Sequence, residues 1–222
     1  MADFVLLLAQ ALAPLGNAEV AAGQRAYMRD QFPFLGVPMP RRRATFKQLI
    51  KQTGMPPDAP AVAMSLWQRP EREFQYCAVD LLLANGKKNE QESNLAVYET
   101  LICQKSWWDT VDALAPVVGQ YLAKYPEQRE PLTQKWLQSG HLWLMRTAIL
   151  FQLGYKKQTD EALLFRIVLQ AAPNQDFFIR KGIGWALREY AKTNPQAVRN
   201  FVSQHTGELS PLSQREALKR LG

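Results

Sequence analysis

The chain has little of what many catalytic sites are built from. Its 222 residues contain two histidines, His141 and His205, and neither has a second ligand at helical spacing. A histidine-based metal site and a Ser-His-Asp triad are therefore unsupported. The two cysteines, Cys77 and Cys103, are far apart and in no metal-ligand spacing, which argues against a disulfide scaffold or a zinc ribbon. Both lie in apolar helical patterns and read as buried free thiols. No metal and no cofactor is expected. No apolar run approaches the ~20 residues of a membrane-spanning helix. Residues 4–13 are apolar and end in Ala11-Leu12-Ala13, which mimics a signal-cleavage site. The residue ahead of the run is Asp3 rather than a basic one, so the segment reads as a first amphipathic helix of a cytoplasmic protein. Period-2 alternation bounded by Asn-Gly or Asp-Gly turns is also missing, which removes the usual signal for strands.

What is present is ordinary globular material with a basic surplus. Hydrophobic residues make up 47% and charged residues 21%, enough to bury a core in a single domain spanning 1–222. Lys and Arg number 27 against 20 Asp and Glu, a formal charge of +7. That surplus favours an acidic partner, nucleic acid or a membrane surface, without specifying a fold. Helical periodicity runs nearly throughout, broken by Pro and Gly. It predicts helices near 2–13, 18–31, 40–54, 58–68, 70–85, 90–104, 107–124, 128–138, 140–154, 157–171, 175–192, 195–205 and 211–220. The longest non-helical stretch is FPFLGVPMP at 32–40, followed at once by Arg41-Arg42-Arg43.

An all-helical chain invites a search for repeats. Phe74, Trp108, Trp143 and Phe178 are separated by 34, 35 and 35 residues. Short residues follow four positions on (Ala78, Asp112, Thr147, Gly182), and Leu81, Ala115, Leu150 and Trp185 follow seven on. Offsets of 0, +4 and +7 share a helix face. A two-helix unit of about 35 residues without a TPR signature predicts an all-α, HEAT-like solenoid. In such a stack, matching positions of successive repeats become neighbours on a concave face. Trp108, Asp112, Arg146 and Trp185 would then cluster.

Each of these residues also has a plainer reading. Ser106 is a candidate N-cap with Asp109 as its capping-box acid. Asp112 lies on the inward face beside Val111, Ala113 and Leu114, where a carboxylate needs a partner or a task; a structural ion pair with Arg146 would satisfy it. Arg146, inside the apolar LWLMRTAILFQL, must pair, reach the groove or bind an anion such as phosphate. Either tryptophan could simply fill core. Gly182 and Gly184 each cost a helix about 0.8–1 kcal/mol relative to Ala, and so mark a close approach by a neighbouring helix or a ligand. Basic residues recur as Arg41, Arg42, Arg43, Lys47 and Lys51, then Lys87-Lys88, Lys156-Lys157, Arg180-Lys181, Arg188 and Lys192. They would be solvated surface taken singly, and a stripe for a phosphate backbone if aligned. No base-reading motif accompanies them, so backbone contact is the better fit.

The strings KSWWDTVD (105–112), WLMRTAILFQL (143–153) and IGWALREYAKTNP (183–195) closely resemble the AlkD-type DNA alkylation repair glycosylases. So do YMRDQFPFLGVPMPRRR (27–43) and LSPLSQREALKR (209–220), and the resemblance runs from about residue 25 to the C-terminus. It implies a HEAT-like solenoid whose concave face holds duplex DNA, acting as a monomer to excise cationic N3- and N7-alkylpurines in base excision repair. It also implies catalytic positions at Trp108, Asp112 and Trp185, Arg146 as a DNA-contacting partner that holds the backbone and helps orient Asp112, and Tyr27 near the DNA. The family loop can carry a polar glutamine where this chain has Pro38, which offers no side-chain donor. Retention of the Trp, Asp, Arg and Trp separates this chain from relatives that have lost the catalytic residues. A non-catalytic HEAT-like module binding DNA or protein is the competing expectation.

Overall fold

The computed structural model describes residues 2–219 and 221. Among them there are thirteen α-helices and no strand, the all-helical, helical-repeat arrangement that the punctuated periodicity predicts. The described residues divide into two compact units, 1–97 and 98–222.

The first unit holds α1 (Ala2–Leu12), α2 (Ala18–Tyr27), α3 (Met39–Thr53), α4 (Ala59–Gln68) and α5 (Arg72–Asn89). Helix α1 packs on α3 and α4, and α5 on α3 and α4, around Leu8, Leu12, Val62, Leu66, Trp67, Phe74 and Leu81. Asn17 caps α2 by accepting from the Val20 amide at 3.0 Å, and Asp58 caps α4 through Ala61 at 2.9 Å. The α2 segment stops short of its predicted end because Arg29 and Asp30 take left-handed backbone angles, which close an α-helix. The loop after it is pinned to α5. The buried Glu73 carboxylate accepts from the amides of Leu35, Gly36 and Val37 at 2.9–3.1 Å. The Arg72 guanidinium lies over the Phe32 ring, 3.7 Å from its centroid.

Helix α6 (Asn94–Cys103) leads into the second unit, with α7 (Trp108–Lys124), α8 (Arg129–Gln138), α9 (Leu142–Leu150), α10 (Glu161–Ala171), α11 (Phe177–Tyr190), α12 (Pro195–Gln204) and α13 (Pro211–Leu218). Helices α7, α9, α11 and α13 form one row, each packed on the next, and α8, α10 and α12 pack alongside. The aromatic repeat positions all fall within the first three residues of a helix: Phe74 in α5, Trp108 in α7, Trp143 in α9 and Phe178 in α11. Side-chain caps fix several starts: Asp160 for α10, Asp176 for α11, Asn194 for α12 and Ser210 for α13. His141 caps α9 through Nδ1, a structural task for one of the two histidines.

Two local expectations are corrected. Ser106 does not cap α7: its hydroxyl turns back to donate to the Ile102 carbonyl at 2.6 Å, across a turn in which Lys105 has a left-handed φ, and Trp107 stands at the cap position. Cys77 is buried as expected, but Cys103 is exposed at the last residue of α6, where the helix end faces solvent.

Candidate active site

The centre of the second unit's helix row is an arginine–aspartate pair. Asp112 lies one turn into α7, and Arg146 is buried in the middle of α9. The guanidinium grips the carboxylate with two parallel bonds, Nε to Oδ1 at 2.7 Å and Nη2 to Oδ2 at 2.8 Å. Such a fork fixes the plane and direction of the carboxylate as well as its charge. The third nitrogen, Nη1, donates to the Phe178 carbonyl in the first turn of α11. One side chain thus ties three successive helices of the row.

The surroundings explain why an arginine can sit there. Trp107, Trp143 and Phe178 form an aromatic trio with ring centroids 5.1–5.9 Å apart, and the Arg146 guanidinium carbon lies 6.0 Å from the Phe178 centroid. On α11, Gly182 presents no side chain to Arg146: a Cβ there would meet Nη1 at 3.1 Å. Pro116, one turn beyond Asp112, lies inside α7. Having no N–H, it cannot give the Asp112 carbonyl its usual helical bond.

Asp112 keeps 15% of its side chain exposed, against 5% for Arg146. Burial pushes the Asp112 carboxyl above its ordinary value of 3.8, while the hydrogen bonds and charge of Arg146 pull it down and Asp109 adds a further upward push. The result is a largely desolvated carboxylate held by one cation. A carboxylate so placed can act electrostatically on positive charge developing nearby.

Of the residues predicted from sequence, the structure brings Asp112 and Arg146 into contact. Trp108 is half-buried one turn before Asp112 on α7, and Trp185 is half-buried on α11, three residues after Gly182 and so on the same side of that helix. The expectation that Arg146 holds the DNA backbone is corrected. Its guanidinium is buried and engaged by Asp112 and the Phe178 carbonyl, so it presents no open cation to a phosphate. Sequence reasoning missed the Phe178 carbonyl and the part Trp107 and Trp143 play. A carbonyl acceptor has no side-chain signature, but the aromatic spacing had already singled out positions 143 and 178.

The basic residues separate into exposed and engaged. In the first unit Tyr27, Arg41, Arg43 and Lys47 are exposed. Arg42 is corrected as a surface contact: it is buried, with Nη1 2.7 Å from Asp80 and its guanidinium 5.3 Å from the Tyr76 centroid. Pro38 is exposed at the cap position of α3, and its carbonyl accepts from the Arg42 amide at 2.9 Å. In the second unit Lys156 and Lys157 are exposed, lining a pocket of about 720 Å³ with Thr159, Tyr190 and Lys192. Lys192 lies two residues past the end of α11. Lys181 and Arg188 instead converge on Glu216 of α13, with Lys181 Nζ at 2.7 Å, and the pair holds that carboxyl down at about 2. Arg180 donates to the Asn174 carbonyl at 3.3 Å and to the Gln175 side chain.

Comparison with known proteins accords with this geometry. The model of the DNA alkylation repair enzyme family matches residues 8–221. A solved structure, a predicted DNA alkylation repair enzyme from Enterococcus faecalis, superposes with a TM-score of 0.85 at 36% identity, covering 93% of this chain and 97% of that one. No protein of curated function matches. With all but a few residues of its length matched by the family model, the chain belongs to the DNA alkylation repair enzyme family.

Proposed function

We propose that the chain is an AlkD-type DNA glycosylase that hydrolyses the N-glycosidic bond of N3- and N7-alkylated purines, such as 3-methyladenine and 7-methylguanine, in duplex DNA. The observation that carries this reading is the forked Arg146–Asp112 pair, whose carboxylate keeps 15% of its side chain exposed on a helix row that also carries Trp108 and Trp185.

The chemistry matches the scarcity of histidine. A purine alkylated at N3 or N7 is already cationic and departs as a neutral base, so no side chain need protonate it. Positive charge passes instead to the sugar, which takes on oxocarbenium character. Asp112 stabilises that centre electrostatically and orients the attacking water. Arg146 keeps the carboxylate charged and aimed. Trp108 and Trp185 pack on the lesion nucleotide, where cation–π attraction contributes ~0.5–2 kcal/mol per contact. The exposed cations, Arg41, Arg43 and Lys47 in one unit and Lys156 and Lys157 in the other, hold phosphates.

The test is the release of free alkylpurine from methylated duplex DNA. Wild type releases it, and Asp112→Asn binds the duplex but does not. Tight, salt-sensitive binding by wild type without any release would instead establish a non-catalytic DNA-binding module.

A further inference from the structure

Helix α11 carries two glycines two residues apart, and they face different neighbours. A Cβ at Gly184 would lie 2.5 Å from the Glu216 Cβ and 2.9 Å from the Ser213 carbonyl oxygen. Neither atom can yield without moving α13, so Gly184 is there for helix packing. The three atoms nearest to a Cβ at Gly182 would all belong to one side chain, Arg146: Nη1 at 3.1 Å, and Cγ and Cζ at 3.9 Å. That contact is tight enough to displace the guanidinium by a few tenths of an ångström, and the guanidinium is the one part of Arg146 with no slack. Nε and Nη2 are committed to Asp112 and Nη1 to the Phe178 carbonyl.

We propose that Gly182 is a positioning residue: by presenting bare backbone to Arg146, it seats the guanidinium so that one edge meets the Phe178 carbonyl and the other holds the Asp112 carboxylate. The inference rests on the glycosylase reading for its effect on rate, but the seating itself can be measured without turnover. The charged groups acting on Asp112 are Arg146 from α9 and Asp109 from α7. The cations flanking Gly182 on α11 are engaged elsewhere, Arg180 with Asn174 and Gln175 and Lys181 with Glu216.

Gly182→Ala separates positioning from structure because alanine is the better helix former. Folding stability should change little, the gain in helix propensity offsetting the loosened fork. The Arg146 fork should loosen, and with it the pull that keeps Asp112 ionised, so the carboxyl should titrate higher by about half a pH unit or more. Carbon-13 NMR titration of the Asp112 carboxyl in the full chain reads this directly. Release from methylated duplex should fall about threefold to tenfold, its acid limb moving up with the carboxyl, while duplex affinity changes less than about twofold. Adding Gly182→Ala to Arg146→Lys should cost nothing further, since the residue acts only through the guanidinium. Gly184→Ala is the packing comparison, expected to lower Tm. An Asp112 titration that is the same in wild type and Gly182→Ala overturns the proposal, as does full additivity with Arg146→Lys. If wild type releases no purine, the glycosylase reading fails, and the carboxyl titration still decides the positioning role.

Discussion

The two units each bury an arginine against an aspartate, and the pairs differ in how the arginine is used. In the first, Arg42 spends one nitrogen on both Asp80, at 2.7 Å, and the Cys77 sulfur, at 3.5 Å, and its Nε has no hydrogen-bond partner. Arg43 stands 3.7 Å from the same carboxylate. In the second, Arg146 meets Asp112 with a two-pronged fork and gives its remaining nitrogen to a backbone carbonyl. Exposure is nearly the same in both, 4% and 18% for Arg42 and Asp80, 5% and 15% for Arg146 and Asp112. Burial therefore does not distinguish them. Geometry does: a single Arg42 nitrogen reaches from α3 to α5, whereas two Arg146 nitrogens fix a carboxylate in orientation and the third anchors the guanidinium to α11. A buried pair is weak support for stability in itself, so the more elaborate arrangement calls for a task.

Swapping each aspartate for asparagine is the strongest way to break the comparison. Asp112→Asn should cut alkylpurine release by about 10²–10³-fold, the scale of losing a main electrostatic stabiliser, with duplex affinity within about threefold. Asp80→Asn should leave release by the folded protein close to wild type. Its cost falls on stability instead, about 1–3 kcal/mol for the weakened bond to a charged group, or a Tm lower by about 3–10 °C. Equal losses of release in both variants would erase the distinction between tether and orienting fork.

The acid side of the rate profile sharpens it further. Burial holds the Asp112 carboxyl above its ordinary value, with Arg146 pulling back. On the proposed glycosylase reading release depends on the charged form, so it should be lost as pH falls through a value higher than that of an ordinary aspartate. Arg146→Lys replaces the fork with a point charge. It should slow release about tenfold or more and move the acid limb upward. The rate is read after subtracting uncatalysed depurination at each pH. An unmoved limb in Arg146→Lys would show that some other group titrates.

How much of this was written in the sequence depends on what kind of contact each feature is. The helices were legible because apolar periodicity and Pro, Gly, Asn and Asp punctuation are local properties, and the row of α7, α9 and α11 followed from three aromatic starts at a constant spacing. The Arg146–Asp112 contact was legible for a similar reason: two opposite charges on the shared face of successive repeats, in apolar helices, need each other. The glycines were half legible. Gly182 and Gly184 both announced a close approach, but only the structure shows that one meets Arg146 and the other α13. Arg42 was misread because three arginines in a row look alike, and which one turns inward depends on the register of α3 against α5. The left-handed turn at Lys105 that diverts Ser106 is likewise set by the way α6 ends, which a capping motif read in isolation does not contain.

The smallest expected effects concern the cations, where the same contrast between engaged and open side chains applies. Lys181 and Arg188 already share Glu216, whose carboxyl they hold near 2 against an ordinary 4.5. The folded value is below the unfolded one. The stability this cluster contributes is therefore present above about pH 4.5 and lost as pH falls toward about 2, and Glu216→Gln should remove that portion of the acid-induced loss of Tm. In binding, a lysine or arginine neutralised by a neighbour releases fewer counterions when it meets a phosphate. Lys156→Ala or Lys157→Ala should each flatten the salt dependence of duplex binding by about 0.9 in log–log slope, whereas Lys181→Ala or Arg188→Ala should flatten it less. Glu216→Gln sets both cations free and should steepen the slope. A slope unchanged by Glu216→Gln, together with full losses at Lys156 and Lys157, would mean that phosphate contact is confined to the lysines around the pocket beyond Trp185 and that the Glu216 cluster serves only to lock α11 against α13.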